Sequence, residues 1–225
     1  MEADPLPERY ATYYEQSKGL AEKLVKESGL PYTICRPGMI VGHSKNGRIR
    51  NFNTIYYVLK LMLQEKLRVL PVSAGQKLNI VPVDYVADAV VRLSMMSDAA
   101  NACFHLTPSA EHMPTAGELA DAVCEWTHEG LGLHLQKPVF VPIPALKRVG
   151  MFHNRKTGEK EKSYFGNLAA LMPYFYDEHV FDRSGTDRLL GEYRPDWKVF
   201  LEPLLRYACR RNFLHQTERN VFEQV

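Results

Sequence analysis

The chain has 225 residues and 45% of them are apolar, so it can bury a core, which argues against disorder. Its formal net charge of +2 at pH 7 is too small to favour nucleic acid as the partner. No apolar run approaches the roughly 18 residues that a membrane span needs, and the amino-terminal stretch MEADPLPERY lacks the apolar segment of a signal peptide.

The cysteines and histidines predict neither a disulfide framework nor a metal centre. Cys35, Cys103, Cys124 and Cys209 are widely separated and form no CxxC pair, which predicts reduced thiols in a cytoplasmic protein. The histidines show no HExxH or other ligand spacing, so we assign no metal site.

The first third of the chain alternates helical and extended patterns. A helical pattern runs from about residue 8 to 28 with Gly29 as its stop, and a short strand follows at 31–35. Residues 36–50 begin as a strand and become a polar, basic loop, after which 52–66 is again helical with apolar spacing.

The alternation continues through the middle of the chain. Two strands are predicted at 68–72 and 77–83, on either side of a turn. Asp84 is expected to cap a helix that runs to about Met96, and 103–106 is a further strand. Alternation of this kind predicts an α/β fold with a mainly parallel sheet.

The last part of the chain is less regular. Thr115 and Glu118 form a capping box, which predicts a helix after Thr115. The charge-rich residues 153–162 predict a solvated loop, and 197–214 predicts a final amphipathic helix.

The stretch TYYEQSK, residues 12–18, contains two tyrosines and one lysine. On a helix, residues four apart share a face, so Tyr14 and Lys18 project together, whereas Tyr13 is turned aside by about 100°. A phenol ionises at about pH 10 in water, and a neighbouring ammonium favours its ionised form. The pair therefore suits proton exchange with a substrate oxygen, although such a pair by itself is also an ordinary feature of exposed helices.

Three further segments follow this pair: RPGMIVG at 36–42, PVDYVADA at 82–89, and a tail at 181–195 in which LLG ends a short helix before a proline. Together with Tyr14-x-x-x-Lys18, they resemble the extended short-chain dehydrogenase/reductases over most of the chain. The segment LRVLPVSAGQKLNIVPVDYVADAV resembles the thioester reductase and fatty acyl reductase branch, called the male sterility group, more than it resembles the epimerases.

The resemblance implies an α/β fold: the carboxyl-terminal part of a Rossmann-like, doubly wound parallel sheet, with a smaller mixed substrate-binding subdomain. We assign residues 1–110 to the carboxyl-terminal half of the reductase domain, including the YxxxK helix. Residues 111–225 are assigned to the substrate-binding subdomain and the carboxyl-terminal helices.

The resemblance also implies a site. Tyr14 and Lys18 would be catalytic, and Lys18 would hold the ribose hydroxyls of a nicotinamide cofactor. The cofactor-binding residues would be Tyr14, Lys18, Pro37, Gly38, Met39 and Ile40. Gly38 fits this role because a residue without Cβ lets backbone come close to a ligand.

Some of these residues also have plain structural interpretations. For Met39 and Ile40 the alternative is packing in the core. We expect Arg36 to form a structural salt bridge rather than to contact the substrate. Arg48 and Arg50, in the basic loop, are assigned to an anionic group of the substrate, with a solvated loop as the alternative.

Two parts of the family pattern are absent. The glycine-rich fingerprint sits in a βαβ unit of roughly 30 residues, whereas only thirteen residues precede Tyr14. The family's catalytic serine or threonine, which stands before the tyrosine, is not found either. We therefore expect this chain to be the carboxyl-terminal half of a reductase, with the missing amino-terminal half as a partner.

The function that these motifs imply is reduction of acyl thioesters, on coenzyme A or a carrier protein, to an aldehyde or alcohol. NADP(H) is favoured over NAD(H), although the segment that distinguishes them is absent from the sequence. The alternatives are a nucleotide-sugar epimerase or dehydratase, a hydroxysteroid-type dehydrogenase, and a catalytically silent binding or dimerisation module.

A homodimer is also expected, because family members commonly pair through the helix that carries the tyrosine and lysine. Leu20, Leu24, Tyr56 and Leu59 are the candidate contacts. Their alternative is packing within one chain.

Overall fold

The computed structural model describes residues 10, 12–142 and 181–214. The helices are α1 (Tyr13–Glu27), α2 (Ile55–Leu63), α3 (Val83–Ser94), α4 (Ala116–Leu131), α5 (Ser184–Leu190) and α6 (Trp197–Arg210). The strands are β1 (Thr33–Pro37), β2 (Met39–Val41), β3 (Val69–Leu70), β4 (Ile80–Pro82), β5 (Ala102–Leu106) and β6 (Val139–Phe140). The predicted order of elements is confirmed, with bounds that differ by a few residues, whereas the loop predicted at 153–162 lies outside the described residues.

The chain forms two compact units. Unit 1 consists of Met1–Val41, Asn79–His112 and His179–Pro195, and unit 2 consists of Gly42–Leu78, Met113–Glu178 and Asp196–Val225. The units therefore interleave along the chain. The division into a reductase half at 1–110 and a substrate-binding subdomain at 111–225 stays a prediction.

Unit 1 is built on parallel strands. β1 pairs with β5, from Thr33 opposite Ala102 to Pro37 opposite Leu106, and β2 pairs with β4. The chain changes partner at Gly38, whose N–H donates to the carbonyl of Leu106 at 3.1 Å, while the next N–H, of Met39, donates to the carbonyl of Asn79 at 2.7 Å. These parallel pairs confirm the predicted α/β fold class.

Helices α3 and α5 cover this sheet with an apolar layer. The buried cluster comprises Ala89, Leu93, Ala99, Phe104 and Leu106, with Leu189 and Leu190 of α5 packed against it. α5 ends at Gly191, as the family tail predicted, and Gly191 has a φ of +84°. Alternation of apolar residues along β5 and at helical spacing on α3 directs these side chains to one interior.

Helices α2, α4 and α6 of unit 2 each bury one face. Seven of the nine residues of α2 are buried, and Leu63, Val123 and Leu205, from α2, α4 and α6, are each fully buried at 0% exposure. Tyr56 and Leu59, predicted as dimer contacts, are 1% and 3% exposed. That assignment is wrong for these two residues, because they lie on the inner face of an amphipathic helix, and the alternative of packing within the chain holds.

Local signals placed several helix ends correctly. The capping box predicted for α4 is confirmed, since the N–H of Glu118 donates to Thr115 Oγ1 at 3.1 Å and the N–H of Thr115 donates to Glu118 Oε2 at 2.7 Å. Gly29 follows the end of α1 with a φ of +74°, as its predicted role as a stop requires.

Asp84 is not the cap of α3. The helix begins at Val83, so Pro82 is its N-cap and Asp84 lies in the first turn. Proline is well suited to a helix start because it has no N–H to leave unpaired there. A carboxylate in the first turn still favours the positive end of the helix dipole.

Candidate active site

Tyr14 and Lys18 lie side by side on α1. Lys18 Nζ is 5.5 Å from the centre of the Tyr14 ring, so the pairing predicted from their four-residue spacing is confirmed. Tyr14 is 59% exposed and within reach of a ligand, whereas Tyr13 is 91% exposed. The catalytic role of the pair stays a prediction.

The helix that carries them starts at a second capping box, which sequence reasoning missed. The N–H of Glu15 donates to Thr12 Oγ1 at 3.1 Å, and the N–H of Thr12 donates to Glu15 Oε2 at 3.3 Å. The signal was present as Thr followed three residues later by Glu. This box fixes the first turn of α1, which contains Tyr14.

The strand end after Arg36 is also in unit 1. Gly38 is half-buried, but the room beside it is taken up: a Cβ built there would overlap the side chain and backbone of Asn79. Contact with Asn79 is thus one reason for a glycine at this position, and the approach of a ligand to Gly38 stays a prediction. Ile40 is 41% exposed, which argues against its alternative place in the core.

Two buried oxygens belong to residues next to β4 and β5, the strands that pair with the chain after and before Gly38. Asn79 Oδ1 and Thr107 Oγ1 have no hydrogen-bond partner in the described part of the chain. Asn79 precedes β4, and Thr107 follows Leu106, the residue that accepts from the Gly38 N–H. Unpartnered buried oxygens are rare in native proteins, so this edge of the sheet has unused hydrogen-bonding capacity.

Arg36 forms the structural salt bridge that the sequence predicted. Its Nε donates to Glu22 Oε2 at 3.1 Å, and its Nη2 donates to Glu22 Oε1. Lys26 Nζ also contacts Glu22 Oε1, at 2.7 Å. Burial by itself raises the pKa of Glu22, but the hydrogen bonds and charges of Arg36 and Lys26 outweigh it and hold that pKa below its ordinary value.

The basic loop belongs to unit 2 and has a defined conformation. The N–H of Gly47 donates to the carbonyl of His43 at 2.8 Å, and the N–H of His43 donates to the carbonyl of Arg48 at 3.0 Å. Gly47 has a φ of +69°, and a Cβ there would overlap the Pro203 carbonyl on α6. Arg48 and Arg50 are exposed, and their contact with substrate stays a prediction.

Residues 12–142 and 181–214 contain neither a metal centre nor a membrane-spanning helix. No group of three His, Cys, Asp or Glu side chains is arranged there to hold a metal ion. No helix in those ranges is both long and apolar enough to cross a bilayer. The four cysteines are free, with Cys103 and Cys209 buried.

Comparison with known proteins agrees with this geometry. The family model described as "Male sterility protein" matches residues 2–90. The chain is 34% identical over 110 residues to the non-canonical nonribosomal peptide synthetase cpsA of Aspergillus campestris, a match that covers 47% of this chain and 10% of that protein. It is 31% identical over 124 residues to the aldehyde reductase lnbA of Aspergillus flavus, covering 51% of this chain and 12% of that one.

A solved structure extends the match to nearly the whole chain. The crystal structure of the terminal R domain from the myxalamid PKS-NRPS biosynthetic pathway superimposes with a TM-score of 0.71 at 27% identity. The match covers 96% of this chain and 55% of that one. The chain thus spans about half of that domain and about a tenth of the curated relatives above.

These findings define a class: the chain forms part of a fold of the extended short-chain dehydrogenase/reductase type. Within that class its residues 2–90 match the male sterility group, and nearly the whole chain is similar to the terminal R domain of the myxalamid pathway. The resemblance inferred from its motifs is confirmed.

Proposed function

We propose that the protein is an NADP(H)-dependent reductase of acyl thioesters held on a carrier protein or on coenzyme A. The observation that carries this proposal is the Lys18 ammonium beside the ring of an exposed tyrosine, on a helix of a fold shared with reductase domains. The relatives named as peptide synthetases favour a carrier-bound thioester.

Tyr14 is the proposed general acid. When bound, the reduced nicotinamide supplies hydride to the thioester carbonyl carbon. The Tyr14 hydroxyl donates its proton to the carbonyl oxygen as negative charge develops there, and the Lys18 ammonium stabilises the phenolate that remains. Tyr13 has no such role, because it points away from Lys18.

The residues at the Gly38 edge fit a nicotinamide. Asn79 Oδ1 and Thr107 Oγ1 are acceptors without a partner, and a carboxamide group brings hydrogen-bond donors. We assign Pro37, Gly38, Met39 and Ile40 to this end of the cofactor, with Lys18 at the ribose. NADP(H) rather than NAD(H) is proposed on the family resemblance.

We further propose that this chain supplies one half of the catalytic domain. It spans 55% of the similar R domain, and its sequence contains no glycine-rich turn to place a pyrophosphate at a helix N-terminus. A preceding amino-terminal half would bring those groups and the missing serine or threonine.

The test of the reaction compares the two adjacent tyrosines in the complete reductase, which carries the glycine-rich half. Tyr14→Phe should lower kcat by about 100-fold or more, the usual scale for a positioned acid. Tyr13→Phe is the matched control and should change kcat little. Turnover of acyl thioesters is measured with each nicotinamide cofactor, and near-normal kcat in Tyr14→Phe, or equal losses in both variants, would contradict the proposal.

The basic loop is tested by its effect on KM. Replacing Arg48 and Arg50 together by alanine should raise KM for carrier-bound or coenzyme A thioesters about 10-fold, because both charge-assisted contacts with phosphate are lost. A short thioester without phosphate is the control substrate, and its KM should not change. Equal changes for both substrates would show that the loop is only a solvated surface.

A further inference from the structure

A network of charged side chains connects α1 to β1. The Glu22 carboxylate on α1 receives two hydrogen bonds from the Arg36 guanidinium on β1. The Glu22 side chain is 11% exposed and that of Arg36 is 28% exposed. A partly buried, bidentate arginine–carboxylate pair is strong and also fixes the relative orientation of its two side chains.

Arg36 is also held from its other side. Its Nη1 is 3.4 Å from His105 Nε2, and His105 Nδ1 is 2.8 Å from the carbonyl oxygen of Asp182. Because a carbonyl oxygen only accepts, Nδ1 donates to Asp182, and Nε2 lies within hydrogen-bond distance of Arg36. The guanidinium is thus fixed between a carboxylate on α1 and an imidazole on β5.

α1 has little apolar contact to hold it in place. Gly19 is the buried residue among Tyr13–Glu27, whereas Leu20 and Leu24 are 53% and 68% exposed. Apolar packing therefore restrains the position of α1 along the sheet only weakly, whereas the contact of Glu22 with Arg36 is directional.

The Glu22–Arg36 contact connects the helix that carries Lys18 and Tyr14 to the strand that leads to Gly38. The chain reverses between α1 and β1, since Glu22 and Arg36 meet across a short turn. Lys18 precedes Glu22 by four residues, about 6 Å along a helix, and Gly38 follows Arg36 by two residues, about 6.6 Å along a strand. Lys18, and Tyr14 one turn nearer the start of α1, are therefore on the helix that Glu22 connects to Arg36, and Gly38 is on the stretch of chain that contains Arg36.

We propose that Glu22, Arg36 and His105 are positioning residues. They fix where Lys18 and Tyr14 lie relative to the strand end at Gly38. The inference rests on the proposed function of Tyr14 and Lys18. None of the three touches the reacting atoms. Their effect is on geometry, and misplacement of a reacting group by about 1 Å can cost up to about 100-fold in rate.

The experiment compares two Glu→Gln substitutions on the same helix in the complete reductase. Glu22→Gln removes the charge that holds Arg36, and we expect kcat to fall about 10-fold with KM for the thioester changed less than about 2-fold. Glu27→Gln is the matched control, because Glu27 pairs with Lys23 at 3.8 Å with both side chains 61% exposed. It should leave kcat unchanged.

Exchange of the two charges tests position against mere stability. A double variant, Glu22→Arg with Arg36→Glu, should recover part of the kcat lost in either single variant, because the ion pair is restored in reverse. Hydrogen exchange of the α1 amides, measured in the 225-residue chain, should quicken in Glu22→Gln and not in Glu27→Gln. If Glu22→Gln does not fold, Glu22→Asp serves instead, because it keeps the charge but has a shorter side chain. It should lower kcat by less than about 10-fold, again with little change in KM.

The outcomes separate this inference from the proposed function. If Tyr14→Phe loses activity but Glu22→Gln behaves like Glu27→Gln, the positioning role is refuted and the proposed function stands. A loss shared by kcat and KM, or no recovery in the exchanged pair, also refutes positioning, because that pattern indicates general destabilisation. Normal turnover in Tyr14→Phe refutes the function itself.

Discussion

Helices α1 and α2 are held in the protein by different means. α1 has 15 residues, of which Gly19 alone is buried, and it is anchored by a capping box and the Glu22–Arg36 ion pair. α2 has nine residues, seven of them buried, and its N-cap residue Thr54 makes no side-chain capping bond. Apolar burial is strong but non-directional, whereas hydrogen bonds and ion pairs fix direction.

The difference corresponds to what each helix presents. α1 keeps Tyr14 and Lys18 exposed, so it cannot bury the face that carries them, and polar contacts have to define its position. α2 presents few side chains to solvent and contributes to stability through its core contacts. A helix that carries reactive groups is therefore expected to depend more on specific polar contacts and less on apolar area.

The largest expected effect is on the stability of unit 2. Leu63→Ala on α2, at a position with 0% exposure, should lower the free energy of unfolding by about 2–5 kcal/mol. Leu24→Ala on α1, at 68% exposure, is the matched control and should cost less than about 0.5 kcal/mol. Urea unfolding measures both, and similar losses would show that α1 is covered by an apolar partner, as the predicted dimer requires.

The capping boxes provide a smaller test of the same contrast. Thr12→Ala removes the cap of α1 and should cost about 1 kcal/mol. Thr54→Ala on α2 is the control, because that side chain makes no capping bond, and it should cost much less. If Thr54→Ala lowers the free energy of unfolding in urea as much as Thr12→Ala does, the proposed difference between the two helices is wrong.

The two helices should also differ in their response to acid. Because its folded pKa lies below the ordinary value of 4.5, Glu22 contributes stability that is present above pH 4.5 and is lost as the pH falls through the folded pKa. Glu22→Gln should be less stable than the natural chain at neutral pH, and the difference should disappear in acid. A difference that stays constant with pH would mean that the charge of Glu22 does not contribute.

On α2 the corresponding response is to alkali. Burial raises the pKa of Tyr56 to about 12, although the hydrogen bond from the Gly42 N–H opposes that shift. A neutral phenol with a raised pKa contributes stability below pH 10 that is lost as the pH rises towards 12. Tyr56→Phe should therefore lose less stability than the natural chain over that range, measured by urea unfolding at each pH.

Sequence reasoning succeeded where a contact is local. The Thr115–Glu118 box, the stop at Gly29 and the shared face of Tyr14 and Lys18 all join residues within about one helical turn, so spacing alone predicts them. It failed for Tyr56 and Leu59. Their apolar spacing shows that one face of the helix is covered, but it does not show whether the same chain or a second copy covers it. It also did not find the close contact of Gly38 with Asn79, because Asn79 is distant in the chain.

The alternation of elements, the family resemblance and the pairing of Tyr14 with Lys18 could be predicted from the sequence, because periodicity and short motifs depend on neighbouring residues. A salt bridge was also predicted for Arg36, but its partners Glu22 and His105 were not. The folded structure was needed to show that Arg36 lies between them and that the strand changes partner at Gly38. Both depend on how a helix and separate strands pack, and residues far apart in the chain acquire their contacts only when that packing is formed.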